Sequence, residues 1–179
     1  AKKNTKLFFG NSGTLARLII GILSTTPGIN IKINGDHSLN KRDMKSLINL
    51  MSKFGANFWP KKKYNFPLRL ISSQIPVGIH YNAGVSAQLK SAVILAGLNS
   101  YGVTKVVEVE KSRDHTENIL KINKQVLNIK DKKKRVIKVF GKKKLNSINI
   151  QVPNDPSSAA FFSALTLLNK KSSLIIKNV

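Results

Sequence analysis

Four short stretches carry side chains suited to holding a small anion. In Phe8-Phe9-Gly10-Asn11-Ser12-Gly13-Thr14-Leu15-Ala16-Arg17, a strand-like start runs through a glycine turn into a helix start. A helix N-terminus opened by small or hydroxylic residues offers unpaired backbone N–H groups and the positive end of the helix dipole, which favours phosphate or carboxylate. Gly13 has no Cβ and would let a ligand approach that backbone closely. Arg42 stands just ahead of another helix; a guanidinium can grip a carboxylate or phosphate with two parallel hydrogen bonds, which lysine cannot do. Ser86-Ala87-Gln88 opens a third helix, where Ser86 could cap and Gln88 offers both a donor and an acceptor. Ser112 and Arg113, ahead of a fourth helix, are further candidates for a phosphate.

Each stretch also has a plainer structural reading. The first is equally an ordinary capped turn, and it lacks the G-x-G-x-x-G spacing of a dinucleotide site. A lone arginine in a basic chain is commonly a surface charge, and Gln88 could simply satisfy backbone groups in a buried helix. Ser112-Arg113-Asp114-His115-Thr116-Glu117 contains the residue types of a hydrolase triad, but consecutive residues cannot all converge on one reacting atom. Asp114 followed three residues later by Glu117 reads as a capping box. His37, His80 and His115 have no ligand-like spacing, read as structural, and make a metal site improbable. The chain has no cysteine, which removes disulfides, thiolate metal sites and cysteine nucleophiles and fits a cytoplasmic protein.

The elements that would position these residues recur. Lys6–Gly10 reads as a strand, Thr14–Ser24 as a helix, Ile29–Asn34 as a strand, Gly35–Lys41 as a loop and Asp43–Phe54 as an amphipathic helix ending at Gly55. Strands around Ala56–Trp59 and Leu68–Ile71 follow. The series then restarts: strand Gly78–Tyr81, helix Ser86–Leu98, strand Val103–Val109, helix Asp114–Asn123, and strands Val126–Ile129 and Val136–Phe140. A third copy opens with strand Ile148–Val152, helix Pro156–Leu168 and strand Ser173–Lys177. The fold class is therefore α/β (α+β), built from tandem βαβαββ units about 70 residues apart. The hand-over from strand to helix falls at Asn11-Ser12-Gly13-Thr14, at Val85-Ser86-Ala87-Gln88 and at Asp155-Pro156-Ser157-Ser158.

Composition narrows the function classes. The chain has 179 residues, 41% of them apolar, which is enough for a real core. No stretch approaches the roughly 18 apolar residues of a membrane span. A formal charge of +23 attracts anions of any kind, including nucleic acid. Yet the lysines gather in runs, Lys61-Lys62-Lys63, Lys132-Lys133-Lys134-Arg135 and Lys142-Lys143-Lys144, with little aromatic interleaving for base stacking. A solvated basic surface is the expectation, and a nucleic-acid-binding module is the alternative. The chain lacks a starting methionine and opens directly into a strand, as expected of an internal piece of a longer protein.

Six motifs, in order, carry a resemblance: Gly10-Asn11-Ser12-Gly13-Thr14; Gly35-Asp36-x-Ser38-Leu39-x-Lys41-Arg42-x-Met44; Ser86-Ala87-Gln88-x-Lys90-Ser91-Ala92; Ala96-Gly97-Leu98; Ser112-Arg113-Asp114-His115-Thr116-Glu117; and Asp155-Pro156-Ser157-Ser158-Ala159-Ala160-Phe161. Together they resemble the 5-enolpyruvylshikimate-3-phosphate synthase family. The sister family acting on UDP-N-acetylglucosamine matches these motifs poorly. Asp43 departs from the proline usual after the arginine, and Lys121-Ile122-Asn123-Lys124 replaces a usual Phe-Gly helix ending.

The resemblance implies the two-lobed enolpyruvyl transferase fold, with residues 1–152 giving two units of the first lobe and 153–179 the start of the second. It implies substrates phosphoenolpyruvate and shikimate-3-phosphate, no metal or organic cofactor, no nucleic-acid or membrane partner, and a monomer at full length. By position, Gly13 and Arg42 would hold phosphoenolpyruvate, with Gln88 between the two substrates. Ser86, Ala87 and Ser112 would serve the shikimate-3-phosphate side, with Arg113 a further contact. The resemblance places the proton-transfer carboxylates in segments outside this chain, so no catalytic residue is expected here, and alone it should be inactive. Gly13 would also leave room for glyphosate, which implies sensitivity to it.

Overall fold

The structure is a computed structural model that describes residues 5–178. Two four-stranded sheets share one topology. In the first, β1 (Lys6–Phe8) pairs in parallel with β2 (Asn30–Asn34), β2 pairs antiparallel with β4 (Leu68–Ile71), and β4 with β3 (Asn57–Trp59). The second repeats this with β5 (His80–Ala83), β6 (Val103–Glu108), β8 (Arg135–Phe140) and β7 (Leu127–Asp131), in the order β5-β6-β8-β7. The first helix of each repeat begins at a corresponding place: α1 (Gly13–Ser24) at Gly13 and α4 (Ala87–Asn99) at Ala87. The βαβαββ repeat expected from periodicity is therefore the observed architecture.

Alternation explains the sheets. In β2, Ile31 and Ile33 are buried while Asn30 and Lys32 face out; in β8, Ile137 and Val139 are buried and Lys138 is exposed. A strand covered on one face needs only every second residue apolar. These inner faces and the helices form one contiguous core containing Ala16 and Ile20 of α1, Leu47 and Met51 of α3 (Lys45–Lys53), and Val93, Ile94 and Ala96 of α4. α4 is buried on several sides, as a helix enclosed by other elements must be.

α1 and α4 approach unusually closely at Gly21. A Cβ there would stand 2.6 Å from the Ala92 carbonyl oxygen and 3.1 Å from the Ala92 Cα, so the contact is backbone against backbone. Small residues at both points bring the two N-terminal ends within hydrogen-bond reach of each other.

Several boundaries differ from the sequence reading, for local reasons. Gly35–Lys41 is not all loop: α2 (His37–Asn40) forms because the Asp36 side chain accepts from the Leu39 N–H at 2.8 Å. α3 starts at Lys45 rather than Asp43, and Asp43 Oδ1 accepts from the Lys45 N–H at 2.7 Å. α5 (His115–Leu120) is shorter than expected at both ends.

Contacts divide the chain into a unit ending at Asn146 and a smaller one from Ser147. Within the smaller unit α6 (Pro156–Leu168) forms as expected, opened by Asp155, which accepts from the Ser157 N–H. The stretches expected as strands on either side, Ile148–Val152 and Ser173–Lys177, are not strands, because neither has a ladder partner among the described residues. No residue of α6 is buried; Phe161, Phe162, Leu165 and Leu168 are all exposed.

The close α1–α4 packing leaves no room for a side chain at Gly21. Gly21→Ala should destabilise the chain by about 1–3 kcal/mol through overpacking, measured by urea denaturation; an unchanged midpoint would mean the helices can separate freely.

Candidate functional site

The N-termini of α1 and α4 lie side by side and are built alike. Ser12 caps α1, its Oγ accepting from the Leu15 N–H at 3.1 Å; Ser86 caps α4, its Oγ accepting from the Leu89 N–H at 3.4 Å. Side chains then join the two ends. Gln88 Nε2 donates to Thr14 Oγ1 at 2.7 Å, and Gln88 Oε1 accepts from Arg17 Nη1 at 2.9 Å. The same Arg17 nitrogen is 3.3 Å from the Gly13 carbonyl oxygen. Gln88 thus uses both ends of its amide, a donor to one residue of α1 and an acceptor from another.

Two guanidiniums converge on Gly13, the buried first residue of α1. A Cβ placed there would stand 2.8 Å from Arg42 Nη1 and 2.9 Å from Arg17 Nη1. Arg42 is held from the α2–α3 connection by a 3.0 Å bond from Nη2 to Asn11 Oδ1. Burial holds Arg17 below the usual arginine range, and the facing charge of Arg42 pushes the same way, partly offset by Asp43. Two cations this close, beside two helix N-termini, create a local excess of positive potential suited to a multiply charged anion.

Gln88 lines two openings. One, of about 220 Å³, is lined by Thr14, Ala87, Gln88, Ser91, Arg113 and His115 among others. The other, of about 170 Å³, includes Arg17, Asp43, Ser86 and Gln88. Gly13, Arg42 and Gln88 are therefore brought together around Arg17, while Ala87 and Arg113 share the larger opening. Ser112 is placed apart from both. Its Oγ donates to Glu108 Oε1 at 2.8 Å and its N–H to the same oxygen at 3.2 Å.

Glu108 belongs to a buried ionic cluster. Lys90 of α4, fully enclosed, donates to Glu108 Oε1 at 2.9 Å and lies 2.7 Å from Glu117 Oε1, an ion-pair distance though not aligned as a hydrogen bond. Arg135 adds longer contacts, 3.8 Å to Glu108 and 3.5 Å to Asp114. The capping box expected from Asp114 and Glu117 is absent. The Asp114 side chain makes no cap bond and instead meets Lys111 and Asn118, while Glu117 turns inward to Lys90. Arg135, grouped by sequence with an exposed lysine run, is only 5% exposed; Lys132, Lys133 and Lys134 do face solvent.

Sequence reasoning missed Arg17, although its spacing of one helical turn from Gly13 was the available signal. It also took His115 as structural, whereas this residue is exposed and lines the larger opening. Among the described residues no cluster of three His, Cys, Asp or Glu could hold a metal, and no helix is long and apolar enough to cross a membrane.

Burial alone would raise the Glu108 pKa, but the hydrogen bonds from Lys90 and Ser112 outweigh it and hold the carboxyl below its ordinary value of 4.5. A carboxyl depressed on folding contributes stability that is present above its unfolded pKa and lost as pH falls through the folded one. Glu108→Gln should accordingly flatten the fall in stability below pH 4.5, as followed by denaturant midpoints across pH; an unchanged acid limb would contradict it.

Comparison with known proteins gives one family. Residues 1–179 match the family described as EPSP synthase (3-phosphoshikimate 1-carboxyvinyltransferase). A 3-phosphoshikimate 1-carboxyvinyltransferase of Novosphingobium aromaticivorans is 43% identical over 176 residues, covering 97% of this chain and 40% of that protein. One from Aquifex aeolicus is 37% identical over 171 residues, covering 94% and 39%. An EPSP synthase structure from Acinetobacter baumannii superposes with a TM-score of 0.75 at 38% identity, over 90% of this chain and 36% of that one. The chain thus spans about 40% of the length of the relatives it matches.

Proposed function

The chain belongs to the EPSP synthase family, and from that premise we propose that it supplies substrate-binding groups of a 3-phosphoshikimate 1-carboxyvinyltransferase. In this reaction the 5-hydroxyl of shikimate-3-phosphate gives up its proton to a base and attacks C2 of phosphoenolpyruvate as the methylene carbon takes a proton. Phosphate then leaves C2 and a methyl proton is lost, which restores the double bond. The product, 5-enolpyruvylshikimate-3-phosphate, feeds chorismate and aromatic amino acid formation.

The observation that carries the reading is the convergence of Arg17 and Arg42 on Gly13 beside the N-terminus of α4. Phosphoenolpyruvate bears a carboxylate and a phosphate, and shikimate-3-phosphate bears both as well. Gly13 and Arg42 hold phosphoenolpyruvate; Gln88 stands between the substrates; Ser86, Ala87, Arg113 and Ser112 serve shikimate-3-phosphate. For Ser112 to reach a phosphate, its hydroxyl must exchange its bond to Glu108. Residues to about Val152 form two units of the first lobe, and those beyond enter the second, whose closure excludes water and strengthens each charged contact. The proton-transfer groups come from outside this chain, and neither metal nor organic cofactor takes part. The family match and the named relatives are all enolpyruvyl transferases, and none of them favours the nucleic-acid alternative.

In a protein of the relatives' full length, phosphate release should require both substrates, and Arg42→Ala should lower kcat/KM for phosphoenolpyruvate by about 10²-fold, the usual loss for a charge-stabilising donor. No release from the folded full-length protein would overturn the reading.

A methyl group at position 13 must displace both guanidiniums. Gly13→Ala should therefore raise the KM for phosphoenolpyruvate and weaken inhibition by glyphosate, an anion competing for the same pair. Equal glyphosate inhibition of the two forms would place the inhibitor elsewhere.

A further inference from the structure

The buried cation Lys90 lies two residues past Gln88, on the helix that begins the site. Its backbone N–H donates to the Ser86 carbonyl at 3.2 Å. Its ammonium, completely enclosed, donates to Glu108 Oε1, and that oxygen also accepts both the N–H and the hydroxyl of Ser112. A continuous set of contacts thus runs from Ser86 through Lys90 and Glu108 to Ser112. A second tie joins α4 to α5: Lys90 meets Glu117 at 2.7 Å, and the neighbouring Thr116 hydroxyl donates to Ser91 Oγ at 2.8 Å. Both Ser91 and Thr116 face the larger opening, along with Ala87 and Gln88.

We propose that Lys90 is a positioning residue for shikimate-3-phosphate binding, fixing the start of α4 against the Ser112 turn and the start of α5. The proposal rests on the function read above. Its physical ground is the weak return that buried ion pairs bring to stability. Desolvating the ions offsets most of their attraction, so well-packed apolar residues usually serve a core as well or better. What an ionic cluster adds is geometry. Lys90 and Arg135 balance Glu108 and Glu117, and these four side chains come from α4, β8, β6 and α5, with Asp114 and Asp131 at the margin. A hydrogen-bonded ammonium has one good position where a hydrocarbon would have several, and the Ser112 N–H is aligned on the oxygen it holds, a contact that does not depend on the hydroxyl.

The test compares the full-length protein with Lys90→Met and with Lys90→Met/Glu117→Leu, which removes one charge of each sign. Lys90→Met should lower Tm, because it strands two carboxylates beside Arg135. The double variant should recover Tm, yet keep a KM for shikimate-3-phosphate raised about tenfold with the KM for phosphoenolpyruvate altered less than about threefold. Amide exchange at Ser112 and in the first turn of α4 should be faster than in the parent. A double variant that regains the parental KM together with Tm would make the cluster purely structural and overturn the proposal, as would a folded Lys90→Met with parental kinetics. If Lys90→Met does not fold, the double variant alone decides. If the parent protein itself releases no phosphate, the functional reading falls separately. Exchange then decides the tie: faster exchange at both places supports it, and unchanged protection overturns it.

Discussion

Everything in the site depends on how closely α1 and α4 can approach. Gly21 against the backbone of Ala92 sets that distance, and at the N-terminal ends it is what lets Gln88 reach Thr14 and Arg17 in a different repeat. A helix end carries its partial charge only over its first turn. Two such ends reinforce each other at one ligand only if they are neighbours. The repeat supplies the helices, and the glycine contact makes them neighbours.

Charge then has to be arranged rather than merely abundant. The exposed lysine runs contribute a diffuse field that salt screens over about 10 Å. Arg17 and Arg42 act differently. They are held by the Gly13 carbonyl, Gln88 and Asn11, and they face one another at a cost that burial increases for Arg17. An anion placed between them would relieve that repulsion. On the other flank the ionic cluster of Lys90, Glu108, Glu117 and Arg135 fixes the Ser112 turn.

The repeat was legible because its signals are local. Alternation at Ile31 and Ile33, a cap at Asn11 or Ser12 and another at Ser86, and a glycine stop at 55 each point to one conformation within a few residues. What stayed hidden depends on long-range pairing. Lys90 looks like an interruption of an apolar helix until β6 and α5 bring two glutamates to it. Glu117 fits a capping box by spacing, but a buried ammonium takes it. Ile148–Val152 has strand-like alternation but no strand to pair with among the described residues, so pattern alone could not make it one. Arg17 was overlooked because a helical arginine resembles any surface cation; its role depends on Gln88, seventy-one residues away. The candidate residue types were legible, and their convergence was not.

The most direct test of this account is a crystal structure of the full-length protein with shikimate-3-phosphate and phosphoenolpyruvate or glyphosate bound. The phosphoenolpyruvate-side anion should lie against Gly13 and Arg42 and shikimate-3-phosphate along the first turn of α4, with Gln88 contacting both. Anions bound away from the α1 and α4 N-termini, with Arg17 and Arg42 still facing an unfilled Gly13, would contradict it.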